Sequence, residues 1–297
     1  MEIVVLRGGA LGDIVLTLPV LHALRDFYPG CLITVVAPCP QAILARHHAD
    51  RLLDLDSARL IGLFQPEASL PDEVRECLRA DVILSYLSDP DSIIEKKLAA
   101  SADTRFLQGP FRLDLKRRPA VEQLAEPLKT LGIGSIDPVP RLTAPPPIRA
   151  VKRLAIHPGS GSRHKNWPVS HWAALLAELM PIFDEILLIS GEADTEIAEA
   201  IRPLIPVTKL CLCVNRSLWD LVTELSHATL FIGHDSGVTH LAAATGVATV
   251  ALFGPTDPTI WTPNGDQVIV IKSPDRTMPG LSLEAVLETM AYGSKRT

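Results

Sequence analysis

The sequence predicts an α/β protein made of two Rossmann-like, doubly wound halves. Three observations carry that expectation. Short runs in which successive residues are all apolar recur along the chain, as strands of a parallel sheet covered on both faces require. Helical patterns alternate with them. A proline-rich segment, residues 137–152 with Pro138, Pro140, Pro145, Pro146 and Pro147, divides the chain where neither a helix nor a central strand can pass. On each side of it a first strand runs into a glycine-containing turn, so two halves of like design would face each other across a cleft.

The elements follow in order. Residues 3–6 (Ile-Val-Val-Leu) form the first strand and lead through Arg7-Gly8-Gly9-Ala10-Leu11-Gly12-Asp13 into a helix. Residues 32–36 and 82–84 are the next strands. Beyond the linker come 154–156, 186–189, 230–232 and 247–252. Ser170 is expected to cap a helix that buries Trp172, Leu175, Leu176 and Leu179. Ser217 with Asp220 marks another, with Leu218, Leu221, Val222 and Leu225 facing inward. Residues 281–292 read as a late helix packing back on the first half. The boundaries are 1–143 for a first domain and 150–280 for a second.

A chain of 297 residues, 47% of them hydrophobic, can build two cores of this kind. A formal charge of −6 argues against a general nucleic-acid binder, which is normally basic. Cys31, Cys39, Cys77, Cys211 and Cys213 form no pairing framework, and Cys211 and Cys213 are too close for zinc spacing; they read as reduced thiols of a cytosolic protein. Arg7 and Asp13 interrupt the N-terminal apolar segment, which argues against a signal peptide. The longest weakly polar run, 241–253, is too short to span a bilayer.

Residues 232–246, Ile-Gly-His-Asp-Ser-Gly-Val-Thr-His-Leu-Ala-Ala-Ala-Thr-Gly, are the most informative stretch. An apolar strand enters a small-residue turn and a helix opens at once. Its first N–H groups lack helical partners and carry partial positive charge. Gly237 keeps bulk away, and Ser236 and Thr239 add hydroxyls, so the junction is a cradle for a phosphate or diphosphate. The segment 157–168, His-Pro-Gly-Ser-Gly-Ser-Arg-His-Lys-Asn-Trp-Pro, follows another strand. Its glycines, the Ser160 hydroxyl and the Lys165 ammonium favour ligand contact over a plain surface loop.

Other positions keep two readings. Glu192, just past a strand, is either a ribose-hydroxyl acceptor or a turn acid. Asp13 is either a site acid at the end of the first strand or a helix cap, and spacing alone favours the cap. His234 and His240 with Asp235 lack a clear further ligand for a metal, and the Asp54/Asp56 and Asp89/Asp91 pairs read as turns at strand ends. No Ser–His–Asp elbow, phosphate-binding P-loop or dinucleotide fingerprint occurs.

Taken in order, Gly-Gly-Ala-Leu-Gly-Asp, His-Pro-Gly-Ser…Lys-Asn-Trp-Pro, Gly-Glu, Asp-Ser-Gly-Val-Thr-His and Phe-Gly-Pro-Thr-Asp-Pro resemble glycosyltransferase family 9, the bacterial lipopolysaccharide heptosyltransferases. The likeness runs over residues 1–265. It implies a GT-B fold and an inverting, metal-independent sugar transfer without a cofactor. The donor would be a nucleoside-diphosphate sugar, typically ADP-heptose, and the acceptor a lipid-linked saccharide. It places the protein in the cytoplasm, with peripheral contact to the inner membrane allowed. By the same resemblance Asp13 matches the general base, Lys165 the diphosphate-binding lysine and Glu192 the ribose-binding acid. Asp235, Ser236, Gly237, Thr239 and His240 match the phosphate- and sugar-binding turn, with Asp235 either a helix cap or a partner of a sugar hydroxyl. Lys96, Lys97, Arg105, Arg117 and Arg118 either meet an anionic acceptor or are solvated surface charge. A nucleotide-sugar epimerase of related architecture, and a family 9 transferase with another donor sugar, are the alternatives.

Overall fold

The structure is a computed structural model that describes residues 1–99, 103–115, 118–147 and 149–293. The chain divides into two compact units, Met1–Pro138 and Val139–Thr297. The division falls inside the proline-rich segment, where fixed φ angles and missing amide donors leave no regular element to bridge it.

The first unit holds β1 (Glu2–Leu6), α1 (Leu11–Phe27), β2 (Leu32–Ala37), β3 (Arg51–Asp54), α2 (Asp72–Cys77), β4 (Val82–Ser85), α3 (Ile93–Leu98), β5 (Arg105–Gln108) and α4 (Ala120–Ala125). Its five-stranded sheet has the order β3-β2-β1-β4-β5 and all its pairs are parallel. β1 is central, so residues 3–6 are apolar throughout and fully buried. β3 and β5 were not expected. They are edge strands of four residues, Arg-Leu-Leu-Asp and Arg-Phe-Leu-Gln, with exposed ends and half-buried middles. An edge strand keeps polar residues, and so lacks the continuous apolar run that marks a central one.

The second unit holds β6 (Arg153–His157), α5 (Val169–Leu179), β7 (Glu185–Ser190), α6 (Thr195–Ile201), β8 (Leu210–Val214), α7 (Leu218–Ser226), β9 (Leu230–His234), α8 (Gly237–Ala244), β10 (Ala248–Phe253), α9 (Pro258–Trp261), β11 (Val268–Lys272) and α10 (Leu283–Gly293). Its six-stranded parallel sheet has the order β11-β10-β9-β6-β7-β8. Again the two unexpected strands, β8 and β11, are the edges.

Trp172, Leu175, Leu176 and Leu179 of α5 pack into the core, as the helical period predicts. The cap differs: the helix starts at Val169 behind Pro168, and Ser170 lies inside the first turn with no capping bond. Proline at the N-cap gives the extended backbone that starts the helix, which leaves Ser170 no role there. Ser217 does cap α7, accepting from the Asp220 amide at 3.1 Å. The late helix, α10, was expected to fold back on the first half. Its Val286 is buried in the second unit's core, with Leu283, Leu287 and Met290 packed against it.

Both sheets have a topological switch point, where successive strands leave the first strand in opposite directions. It lies between β1 and β4 in one unit and between β6 and β9 in the other. The carboxyl ends of those strands open the crevice in which α/β folds bind ligands.

Candidate active site

In the first unit, β1 ends at Leu6 and the turn that follows carries Arg7 and Asp13. Asp13 is the third residue of α1, and its Oδ2 accepts from the Ala10 amide at 2.8 Å. Its Oδ1 accepts from Arg7 Nη2 at 2.9 Å, and Arg7 Nε also reaches the Asp13 carbonyl at 3.3 Å. Arg7 is buried, and its guanidinium lies 5.4 Å from the ring centre of Tyr86, just past the end of β4. Burial lowers the Arg7 pKa and the Asp13 carboxylate works against that effect. The guanidinium stays charged.

Gly9 makes this arrangement available. It has φ of 103°, and a Cβ there would lie 2.4 Å from Asp13 Oδ2. Asp13 therefore caps its helix, as spacing suggested. Its side chain also keeps 32% exposure at the mouth of the crevice. The cap engages Oδ2 and the Arg7 guanidinium engages Oδ1, so the carboxylate is held in one orientation.

In the second unit, the ends of β6 and β9 deliver polar groups to one place. Lys165, from the 3₁₀ turn Arg163–Lys165 after β6, donates from Nζ to Asp235 Oδ2 at 2.7 Å. Asp235 is buried beyond the end of β9, so its carboxylate needs that partner. Ser236 is the N-cap of α8 and Gly237 its first helical residue. Ser236 Oγ lies 3.3 Å from Thr239 Oγ1, and Thr239 gives its own proton to the His234 carbonyl. Sequence reasoning named Lys165, Asp235, Ser236 and Thr239 from separate motifs, and the fold brings them together. His240 is buried on the same helix. Glu192 opens the 3₁₀ turn after β7 with its side chain exposed.

Ser160 is a different case. Its Oγ lies 2.7 Å from both the Ser162 carbonyl and Asn166 Oδ1, so the hydroxyl shapes its own loop. Gly159 also makes room within the protein: a Cβ there would sit 2.1 Å from the Asp194 Cβ.

Two residues had no role in the sequence reading. His157, the last residue of β6, is buried; its Nε2 hydrogen-bonds Asp194 Oδ2, and its Nδ1 lies 3.5 Å from Ser236 Oγ. Asp194 is fixed further by the Gly191 amide at 2.6 Å. Burial opposes ionisation of Asp194, and the bonds from His157 and the Gly191 amide outweigh it, so its carboxyl sits below its ordinary value. The available signal was an aspartate three residues after a strand-end glycine, a common turn pattern that points to no particular partner.

His234 is fully buried, and burial pushes its pKa down to about 3. It accepts from the Trp167 amide at Nε2 (2.9 Å), which leaves the Nδ1 proton for the Gly159 carbonyl at 3.4 Å. That committed lone pair removes His234 as a metal ligand. The two Asp pairs are turn acids: Asp54 accepts from the Cys39 and Asp56 amides, and Asp89 from three amides at the start of α3. Among the basic residues considered for an acceptor, Arg118 pairs with Glu126 at 3.1 Å and Lys97 binds the Pro66 and Ala68 carbonyls. Arg117 lies outside the described residues. Beside the second unit's cluster lies an open cavity of about 340 Å³, lined by Asn166, Trp167, Val169, Asp194, Ile197 and Ala200 among others.

Comparison with known proteins agrees with this anatomy. Residues 111–291, more than half of the chain, match the family model of glycosyltransferase family 9 (heptosyltransferase). Lipooligosaccharide heptosyltransferase 2 of Haemophilus influenzae is 31% identical over 112 residues, covering 36% of this chain and 32% of that protein. The chain thus matches about a third of that relative's length. Lipopolysaccharide heptosyltransferase 3 of Escherichia coli is 26% identical over 90% of this chain and 88% of its own. Among solved structures, that of E. coli heptosyltransferase WaaC with ADP superposes with a TM-score of 0.77 at 19% identity, over 99% of this chain and 100% of that one. The two Rossmann-like sheets are those of the GT-B fold.

Proposed function

This chain belongs to glycosyltransferase family 9, and from that premise we propose that it transfers heptose from ADP-heptose to a saccharide acceptor of the lipopolysaccharide core. One observation carries the reading: the Lys165 ammonium is held on Asp235 directly before the amino end of α8, next to the Ser236 hydroxyl. Cation, hydroxyl and free helical amides are what a diphosphate leaving group needs.

In the proposed reaction the acceptor oxygen attacks the anomeric carbon as Asp13 takes its proton. The bond from that carbon to the β-phosphate oxygen breaks, and ADP departs with the electron pair. Attack and departure occur on opposite faces, so the configuration inverts. Lys165 and the α8 amides neutralise the charge that grows on the diphosphate, in place of a divalent cation. Glu192 accepts from the ribose hydroxyls, and His240 lies on the helix that lines the sugar. The acceptor is lipid-linked, so the enzyme works at the cytoplasmic face of the inner membrane. No described helix is long and apolar enough to cross a membrane.

The test is a transfer assay with ADP-heptose and a truncated core acceptor. Product should form at the same rate with and without EDTA, and Asp13→Asn should lower kcat by roughly two orders of magnitude or more while ADP affinity holds. Near-normal turnover of Asp13→Asn removes the base assignment. Loss of activity in EDTA, restored by a divalent ion, removes the metal-free assignment. Isomerisation of ADP-heptose without acceptor would identify an epimerase instead.

A further inference from the structure

Asp194, His157 and Ser236 form a chain of polar contacts that ends where the donor diphosphate is proposed to lie. Asp194 comes from the turn after β7, His157 from the end of β6 and Ser236 from the start of α8. His157 and Asp194 are both buried, and Gly159 is bare of a Cβ where Asp194 fits against β6. Buried polar groups cost stability unless they are paired, so this pairing is built rather than incidental.

The protons in this chain can be assigned from the partners. Asp194 is a carboxylate, so His157 Nε2 carries a proton and donates to it. In neutral His157 the other nitrogen, Nδ1, is then an acceptor facing Ser236 Oγ. Thr239 has spent its proton on the His234 carbonyl, so it too can only accept from Ser236. With His157 neutral, Ser236 is therefore surrounded by acceptors, and its proton is drawn inward. A phosphate oxygen, itself an acceptor, meets a hydroxyl lone pair. With His157 protonated, Nδ1–H donates to Ser236 Oγ and the hydroxyl proton is free to turn outward. The same proton puts a positive charge behind the hydroxyl.

We propose that His157, oriented by Asp194, is a proton-coupled positioning residue: binding of the donor diphosphate takes up one proton on His157, which turns Ser236 into a donor. The inference rests on the diphosphate site of the preceding section. The charged and titratable groups around His157 are consistent with it. Asp194 stabilises the cation, His234 is neutral and adds no charge, and the Lys165–Asp235 pair beside Ser236 is balanced.

The experiment is an NMR titration of the histidine ring protons of the full chain, with and without ADP. The His157 signal is assigned by its loss in His157→Gln. Glutamine keeps a donor for Asp194 but has no titrating nitrogen. ADP should raise the His157 pKa by about one unit, a tenfold linkage. Correspondingly, calorimetry should find the ratio of wild-type to His157→Gln affinity for ADP falling about tenfold as pH rises from roughly 5.5 to 8.5, a ratio in which the nucleotide's own titration cancels. Ser236→Ala, a change at a part-exposed cap, should bind ADP with less than half the wild-type pKa response and serves if His157→Gln does not fold. A His157 pKa that ADP leaves unchanged, while other resonances report binding, overturns the proton relay and leaves the diphosphate site standing. Failure of the wild-type protein to bind ADP at all overturns the diphosphate site and the relay together.

Discussion

A carboxylate beside a diphosphate is repulsive, and Asp235 is such a carboxylate on the proposed reading. Its bond to Lys165 resolves the conflict: in the free protein the pair is neutral, and Asp235 holds a long, mobile side chain within reach of the ligand. Lys165→Ala should weaken ADP binding by about 1.5–3 kcal/mol, roughly ten- to a hundredfold. It also strands a buried carboxylate, so the melting temperature should drop. The double variant Lys165→Met, Asp235→Asn separates the effects: stability should return, and affinity should not. Calorimetry and thermal denaturation read the two, and recovery of affinity in the double variant would take the lysine out of the site. Of these residues, Lys165 and Asp235 were legible because each sits in a motif just past an apolar run. Their partnership was not legible, because 70 residues separate them and only the sheet order brings β6 beside β9. His234 shows the same limit. Sequence context set it aside as a metal ligand for want of a further ligand but gave it no role of its own, and its burial makes it a neutral structural residue. Its folded pKa of about 3 lies below the ordinary 6.5, so between those values the unfolded chain binds the extra proton. Stability is thus complete above pH 6.5 and is lost as pH falls toward 3, at up to about 1.4 kcal/mol per pH unit. Urea unfolding across that range should show the slope, and a His234→Gln variant should lack most of it.

At the scale of elements, the two β–turn–α junctions at the switch points do different work with the same parts. After β1 the backbone is bent so that one carboxylate is gripped by an amide and a guanidinium. After β9 no side chain caps the first turn of α8. Gly9 decides the first case. With φ of 103° and no room beside Asp13, Gly9→Ala combines backbone strain of about 1–3 kcal/mol with a displaced carboxylate. Gly30 has φ of 79° with nothing within 4 Å of a built Cβ, so Gly30→Ala brings strain alone. The expected pattern is comparable loss of stability in both variants, with kcat collapsing only in Gly9→Ala and ADP affinity intact in each. Equal activity in the two would mean that the position of Asp13 is immaterial to turnover. The junctions were readable because buried central strands are uniformly apolar and end abruptly in glycine. The four edge strands were not. β3, β5, β8 and β11 carry polar or exposed residues among apolar ones, as half-covered edges do, and resemble loops in any single window. Ser170 failed as a cap for a local reason as well: proline two residues earlier had already set the entry to α5.

For the molecule as a whole, the division of labour between the two units makes the strongest demand. The proposed nucleotide contacts, from Lys165 through Glu192 to His240, all lie in Val139–Thr297, and the proposed base lies in Met1–Pro138. ADP lacks the sugar and the acceptor, so its direct contacts should be those of the second unit. A ligand that binds only the folded state stabilises by RT ln(1 + [L]/Kd), about 2.7 kcal/mol at a hundredfold excess over Kd, which for a unit of this size raises the melting temperature by about 5–10 °C. Hydrogen exchange on the intact chain should localise that gain. Protection should grow in residues 157–165, 190–195 and 234–242, where the strand ends and the first turn of α8 supply amides to the diphosphate, and in the β6–β9 core that carries them. The β1–α1 turn of the first unit should change little with ADP alone and respond when a non-transferable ADP-sugar is supplied. Protection by ADP centred on residues 7–13 would put the nucleotide on the wrong unit, and with it would go the assignment of Lys165 to the leaving group and of Asp13 to the acceptor.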